Sequence, residues 1–235
     1  MKKIFISVLT ILLTFTFSSC REKSTGTQEA SPNSAKFTVL STIFPSYDWT
    51  KNLTAGSDSF SVDLLLKDGV DMHSYQPSAS DIVKISTADI FIYVGGESDE
   101  WVSDALKNAT NKDMTVINLM EVLKGFVKEE EVVEGMQEEH EHDDDEHAHE
   151  DEDEQEELDF DEHVWLSLNN AIAASNQIAR ALMEKDESNS SIYMANLVAY
   201  MQKLVSLKND YTSAFGEKTI IVCDRFPFRY LTDEF

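Results

Sequence analysis

The sequence predicts an α/β fold built on a parallel sheet. Three observations carry this. Short apolar runs typical of buried strands recur along the first half of the chain. Single helical segments separate successive runs, which is the pattern of parallel strands joined by helical crossovers. Glycine- and proline-rich turns follow the runs, where ligand loops of parallel sheets lie.

Taken in order, KFTVLSTIFP (Lys36 to Pro45) reads as a buried strand ending in a turn. YDWTKNLTAG (Tyr47 to Gly56) reads as a short helix stopped by Gly56. SFSVDLLL (Ser59 to Leu66) alternates and then becomes wholly apolar, as a central strand does. DGVDMHSYQPSASD (Asp68 to Asp81) is a turn-rich loop, and Ser78 or Ser80 is placed to cap the helix that Ile82, Val83 and Ile85 begin. ADIFIYVGG (Ala88 to Gly96) is a third strand closed by two glycines. A helix over ESDEWVSDALKNA and a fourth strand over Met114 to Met120 complete the set. Later, Ile172, Ile178, Ala179 and Leu182 recur at helical spacing. A longer helix, Ser190 to Phe215, is expected to reach about 38 Å and to brace two lobes. KTIIVCDRFPFRYLTDEF then reads as a further strand, Thr219 to Val222, followed by a loop.

The N-terminus carries a different message. Lys2 and Lys3 precede an apolar run from Ile4 to Phe17, and Ser18 and Ser19 precede Cys20. This is the layout of a secretory signal with a small-residue cleavage site, and the run is short for a membrane span. The ending resembles that of bacterial lipoprotein signals. The resemblance implies that Cys20 becomes the lipidated first residue, anchoring the protein outside the cytoplasmic membrane. Residues 21–36 are rich in Ser, Thr, Gly and Pro and read as a flexible tether. With Cys20 set aside only Cys223 remains, so no intrachain disulfide is expected and an apolar core must supply stability.

The net charge of −25 is a local feature, because about twenty of the 44 acidic residues lie between Glu129 and Glu162. No basic stripe is present to neutralise phosphates, so nucleic acid is not an expected partner. Residues 128–162 have few apolar side chains and no period, and are expected to be disordered. Four of the six histidines, His140, His142, His147 and His149, are interleaved there with Asp and Glu. Such donors suit weak, multiple contacts with divalent cations. His73, in DMHSYQP, and His163, in DEHVWLS, lie instead at ordered loops, and neutral imidazoles from separate loops can converge on one ion. No H-E-x-x-H motif is present. Cys223 and Asp224 follow the last strand: thiolate is a strong zinc ligand and carboxylate an acceptable one.

GVDMHSYQPSASDI (Gly69 to Ile82), the acidic His-rich insertion, DEHVWLS with its two following helices, and DRFPFRYLTDEF (Asp224 to Phe235) together carry a resemblance. The chain resembles the zinc-binding solute-binding lipoproteins of ABC transporters, the ZnuA/AdcA type. The resemblance implies a two-lobed metal solute-binding-protein fold. Its first lobe would span residues 37–185, a linking helix residues 186–216, and the start of the second lobe residues 217–235. It implies zinc ligation by His73 and His163, and a capture loop holding the other four histidines. Many relatives have a third histidine where this chain has Cys223 beside Asp224. The family's second lobe is longer and can supply a carboxylate ligand, so a truncated second lobe is expected. The implied function is capture of Zn2+ for delivery to an ABC permease by a monomeric protein that makes and breaks no bond. A manganese-uptake role and a surface zinc-sequestering or adhesive lipoprotein stand as alternatives; the histidine-rich loop favours zinc over manganese.

Overall fold

The computed structural model describes residues 35–67, 69–130, 160–215 and 226–235. Four parallel strands form one sheet: β1 (Phe37–Ser41), β2 (Phe60–Leu64), β3 (Ile90–Tyr93) and β4 (Thr115–Asn118). Their order is β2-β1-β3-β4. The chain therefore moves outward from β1 on one side, then crosses to its other side. Val39 pairs with both Val62 and Ile90 in register. A reversal of strand order opens a crevice at the carboxyl ends of β1 and β3.

Side-chain alternation builds two cores. Val39, Ile90, Ile92 and Ile117 face one way and pack with α1 (Phe44–Leu53), α5 (Leu168–Lys185) and α6 (Ser190–Phe215) through Trp49, Leu53, Ile178, Leu182 and Tyr193. Leu40 and Phe91 face the other way, onto α2 (Ala79–Thr87) and α3 (Trp101–Lys107), through Ile85, Val102 and Ala105. A strand buried on both faces reads as an unbroken apolar run, which is why β3 was plain in the sequence.

Several boundaries differ from the sequence reading. Helix α1 starts at Phe44, not after Pro45, with the proline in its first turn. That position lacks an intrahelical acceptor for an N–H, so proline begins the helix where it was read as ending a strand. Ser78 caps α2: its hydroxyl accepts from Asp81 N, and the Asp81 carboxylate accepts from Ser78 N. β4 ends at Asn118 because the Asn118 side chain accepts from Glu121 N and starts a short α4 (Leu119–Val122). The long helix α6 has the expected limits, 26 residues. The segment read as a closing loop holds a short helix, α7 (Arg229–Glu234). Its Tyr230 is buried in the larger core, and its Glu234 accepts from Ser167 Oγ at 2.6 Å. Among the described residues no helix is long and apolar enough to cross a membrane. The expected strand Thr219–Val222, residues 21–34 of the tether and residues 131–159 of the loop expected to be disordered lie outside the described residues, while the ends of that loop are ordered: Glu129 bridges Phe160, and Asp161 and Glu162 are buried.

Candidate metal centre

Three loops meet at the carboxyl edge of the sheet. The first follows β2. There Met72–Ser74 forms a 3-10 turn, and the Asp71 carboxylate accepts from His73 N at 3.1 Å. Tyr75 packs edge-on against Trp101, with ring centroids 5.6 Å apart, which pins this loop to the start of α3. The second loop follows β3. Gly95 and Gly96 have φ of 94° and 81°, the left-handed region that favours glycine. A Cβ at Gly95 would lie 2.5 Å from Asn118 Oδ1, and one at Gly96 would lie 2.4 Å from Glu162 Oε1. Both positions therefore need glycine for clearance as well as for backbone geometry. Asp99 then folds back, and its Oδ2 accepts from Val94 N and Gly95 N at 2.9 and 3.0 Å. Burial pushes its carboxyl up to about 6, although these two hydrogen bonds oppose the rise.

The third loop is Asp161–Glu162–His163. An antiparallel bridge between Glu129 and Phe160 and a hydrogen bond from Asp161 N to Lys128 O (2.9 Å) fix where it begins. Tyr230 clamps the same place: its hydroxyl donates to Asp161 O at 2.7 Å and accepts from Lys128 N at 3.0 Å. Burial raises the Tyr230 phenol to about 12. Val164, fully buried, and Asn170, which donates to Val164 O at 3.0 Å, hold the far side.

These loops bring the two predicted histidines together. The His73 and His163 rings lie 5.3 Å apart between centroids, tilted by 49°. Each ring has its Nδ1 engaged. His73 Nδ1 is 2.9 Å from Ser98 Oγ, and His163 Nδ1 is 2.8 Å from Asp161 Oδ1. On each ring Nε2 is then the nitrogen left to ligate. Two imidazoles bound through Nε2 to one tetrahedral ion, at N–metal distances of about 2.1 Å, place their ring centres roughly 5 Å apart. The observed spacing fits that arrangement. Nδ1 partners of this kind fix tautomer and ring orientation at metal sites. Both rings open onto a cavity of about 580 Å³, whose other walls include Phe44, Val70, Met72, Trp165 and Pro227.

Among the described residues, no group of three or more His, Cys, Asp or Glu side chains could hold a metal ion. The histidine pair is what the described residues supply. Cys223, Asp224, His140, His142, His147, His149 and the lipidation candidate Cys20 all lie outside the described residues. Sequence reasoning passed over Ser98, Asp161 and Glu162. The first has no motif of its own, and the other two end a run of acidic residues that gives them no distinguishing signal.

A doubly wound lobe with ligand loops at the switch of its parallel sheet is the architecture of α/β solute-binding proteins. The comparisons narrow the class. Residues 39–235 match the model of the ZnuA family, described as zinc-uptake complex component A, periplasmic, and the chain belongs to that family. Zinc-binding protein AdcA of Streptococcus pyogenes is 31% identical over 186 residues, covering 77% of this chain and 34% of AdcA. High-affinity zinc uptake system protein ZnuA of Bacillus subtilis is 33% identical over 202 residues, covering 85% of this chain and 59% of that protein. The crystal structure of the Zn(II)-bound ZnuA-like domain of Streptococcus pneumoniae AdcA superposes with a TM-score of 0.64 at 25% identity, over 85% of this chain and 64% of that one. The chain thus spans about a third of the length of AdcA and somewhat under two thirds of the B. subtilis protein.

Proposed function

We propose that this protein captures Zn2+ outside the cytoplasmic membrane and delivers it to an ABC permease, without chemical conversion. The observation that carries the reading is the pair of neighbouring imidazoles, 5.3 Å apart and each with its Nδ1 engaged. The names of the relatives, zinc-binding AdcA and zinc-uptake ZnuA, support zinc as the cargo. The imidazole pair does so as well, because manganese sites favour carboxylates.

Two histidines leave a tetrahedral ion incomplete. Cys223 and Asp224 are the proposed further ligands, with water or residues of a facing lobe as the other source. His140, His142, His147 and His149 would raise local zinc concentration next to the centre, since the segment that carries them leads directly into Asp161–Glu162–His163. Cys20 would bear the lipid anchor, keeping a monomeric carrier near its permease and raising its effective concentration there. Residues 37–185 would form the first lobe, residues 186–216 the linking helix, and residues 217–235 the start of a second, with Tyr230 packed back into the core of the first.

The test is a zinc titration against a competing chromophoric chelator, paired with growth of a strain lacking the gene in zinc-depleted and zinc-replete medium. Tight binding and a growth defect confined to zinc depletion are expected. Tight binding without such a defect would favour zinc sequestration at the cell surface. A defect relieved by manganese but not by zinc would move the cargo to manganese.

A further inference from the structure

Glu162 is an unusual neighbour for His163. Its carboxylate is nearly buried, with the residue 7% exposed. Oε1 accepts from Ser98 N at 2.7 Å, while Oε2 is buried and makes no hydrogen bond among the described residues. A buried, half-satisfied carboxylate oxygen is costly unless a charge compensates it. The group closest to filling that role is His73, whose Nδ1 stands 3.7 Å from Glu162 Oε2. Gly96 keeps the space clear, because any β-carbon there would meet the Glu162 carboxylate.

From these contacts we infer that Glu162 is a positioning residue for His73, so that the tripeptide Asp161–Glu162–His163 supplies one ligand imidazole and an outer carboxylate for each of the two imidazoles. Asp161 serves His163 at 2.8 Å, and Glu162 serves His73 across the loop. The inference rests on the zinc-capture reading above. A neutral imidazole ligates through the nitrogen that lacks a proton, so ligation by Nε2 requires the proton on Nδ1. A carboxylate beside Nδ1 stabilises that tautomer, and a metal on Nε2 strengthens the N–H donor facing it. Ser98 joins the two halves: its hydroxyl meets His73 Nδ1 and its N–H holds Glu162 Oε1.

Glu162→Gln separates this role from a structural one. The amide carbonyl can still accept from Ser98 N, but the NH2 group then faces His73 Nδ1 and favours the tautomer whose Nε2 carries the proton. Removing the buried charge leaves the metal-free fold as stable or more so, while orientation for zinc is lost. The experiment uses the full chain as wild type, Glu162→Gln, Gly96→Ala and His73→Ala. It measures Zn2+ affinity by chelator competition, the metal-free melting temperature, and the NMR signal of the His73 Nδ1 proton in the zinc-loaded state. Expected are a metal-free melting temperature for Glu162→Gln at or above wild type, zinc affinity weaker by ~10–100-fold, and an upfield move of the Nδ1 proton. Gly96→Ala should weaken zinc binding by displacing the carboxylate, and should add little in combination with Glu162→Gln. Loss of affinity in His73→Ala with wild-type affinity in Glu162→Gln would overturn this inference and leave zinc capture standing. Absence of tight binding in the wild type would overturn both.

Discussion

His73 and His163 are separated by 90 positions in sequence, yet their rings stand 5.3 Å apart with Nδ1 engaged on each. If they share one ion, the two substitutions are not independent. His73→Ala and His163→Ala are each expected to weaken zinc binding by more than the ~10–100-fold typical of outer partners. The double variant should be little worse than either single one. Chelator competition on the four proteins checks this. Additive losses would mean two separate sites. Binding should also weaken as pH falls, because protons compete with the metal for the ligating imidazole nitrogens.

Gly95 is held at φ 94° with the Asn118 amide 2.5 Å from where a Cβ would sit. Asn118 is fixed in turn by donating to Tyr93 OH and accepting from Glu121 N. Gly95→Ala should therefore cost on the order of 1–3 kcal/mol in urea unfolding. An unchanged midpoint would show that the β3 turn relaxes freely.

Asp99 gives a pH dependence with a defined sign. Its carboxyl, raised chiefly by burial to about 6, ionises in the unfolded chain near the ordinary value of 3.8. Between these limits the folded state holds the proton longer. The stability from this group is thus full below about 4 and is lost as pH rises through about 6. Asp99→Asn should flatten the stability profile of the metal-free protein over that window. Identical profiles for the two proteins between pH 4 and about 6 would refute the assignment.

Asp186 behaves in the opposite sense. Hydrogen bonds from Ser188 Oγ (2.6 Å), Tyr193 OH (2.6 Å) and Asn189 Nδ2 (2.7 Å) hold its carboxyl well below the usual range. Its contribution is complete above the unfolded value near 3.8 and is lost progressively as pH falls from there through the much lower folded value. Because it sits where α5 hands over to α6, Tyr193→Phe should cost about 1–2 kcal/mol at neutral pH and nearly as much near pH 3, where the folded carboxylate is still ionised. Chemical denaturation at the two pH values measures the difference.

Much of this was legible beforehand. β3 and α6 follow from an unbroken apolar run and a long helical period, signals that depend only on neighbours in sequence. His73 and His163 were singled out by the resemblance of the segments DMHSYQP and DEHVWLS to the family; their loop positions alone mark neither as a ligand. Glu162 could not be singled out, because its role depends on Gly96 and Ser98, which are 66 and 64 positions away. The clearance at Gly96 is likewise a tertiary fact; in sequence the two glycines say only that a strand ends. α7 was missed because six residues are too few to show a period, and its place is set by Tyr230 reaching Lys128 and Asp161.

The most direct test of the central claim is calorimetric titration of Zn2+ into the chain beginning at Arg21, beside a variant lacking residues 131–157, which keeps Lys128 and Glu129 in place, and a His73→Ala, His163→Ala double variant. The account predicts one tight site that survives the loop deletion and disappears in the double variant. Weak binding that vanishes with the loop and ignores the two histidines would contradict it, and would locate the zinc chemistry of this chain in the acidic segment alone.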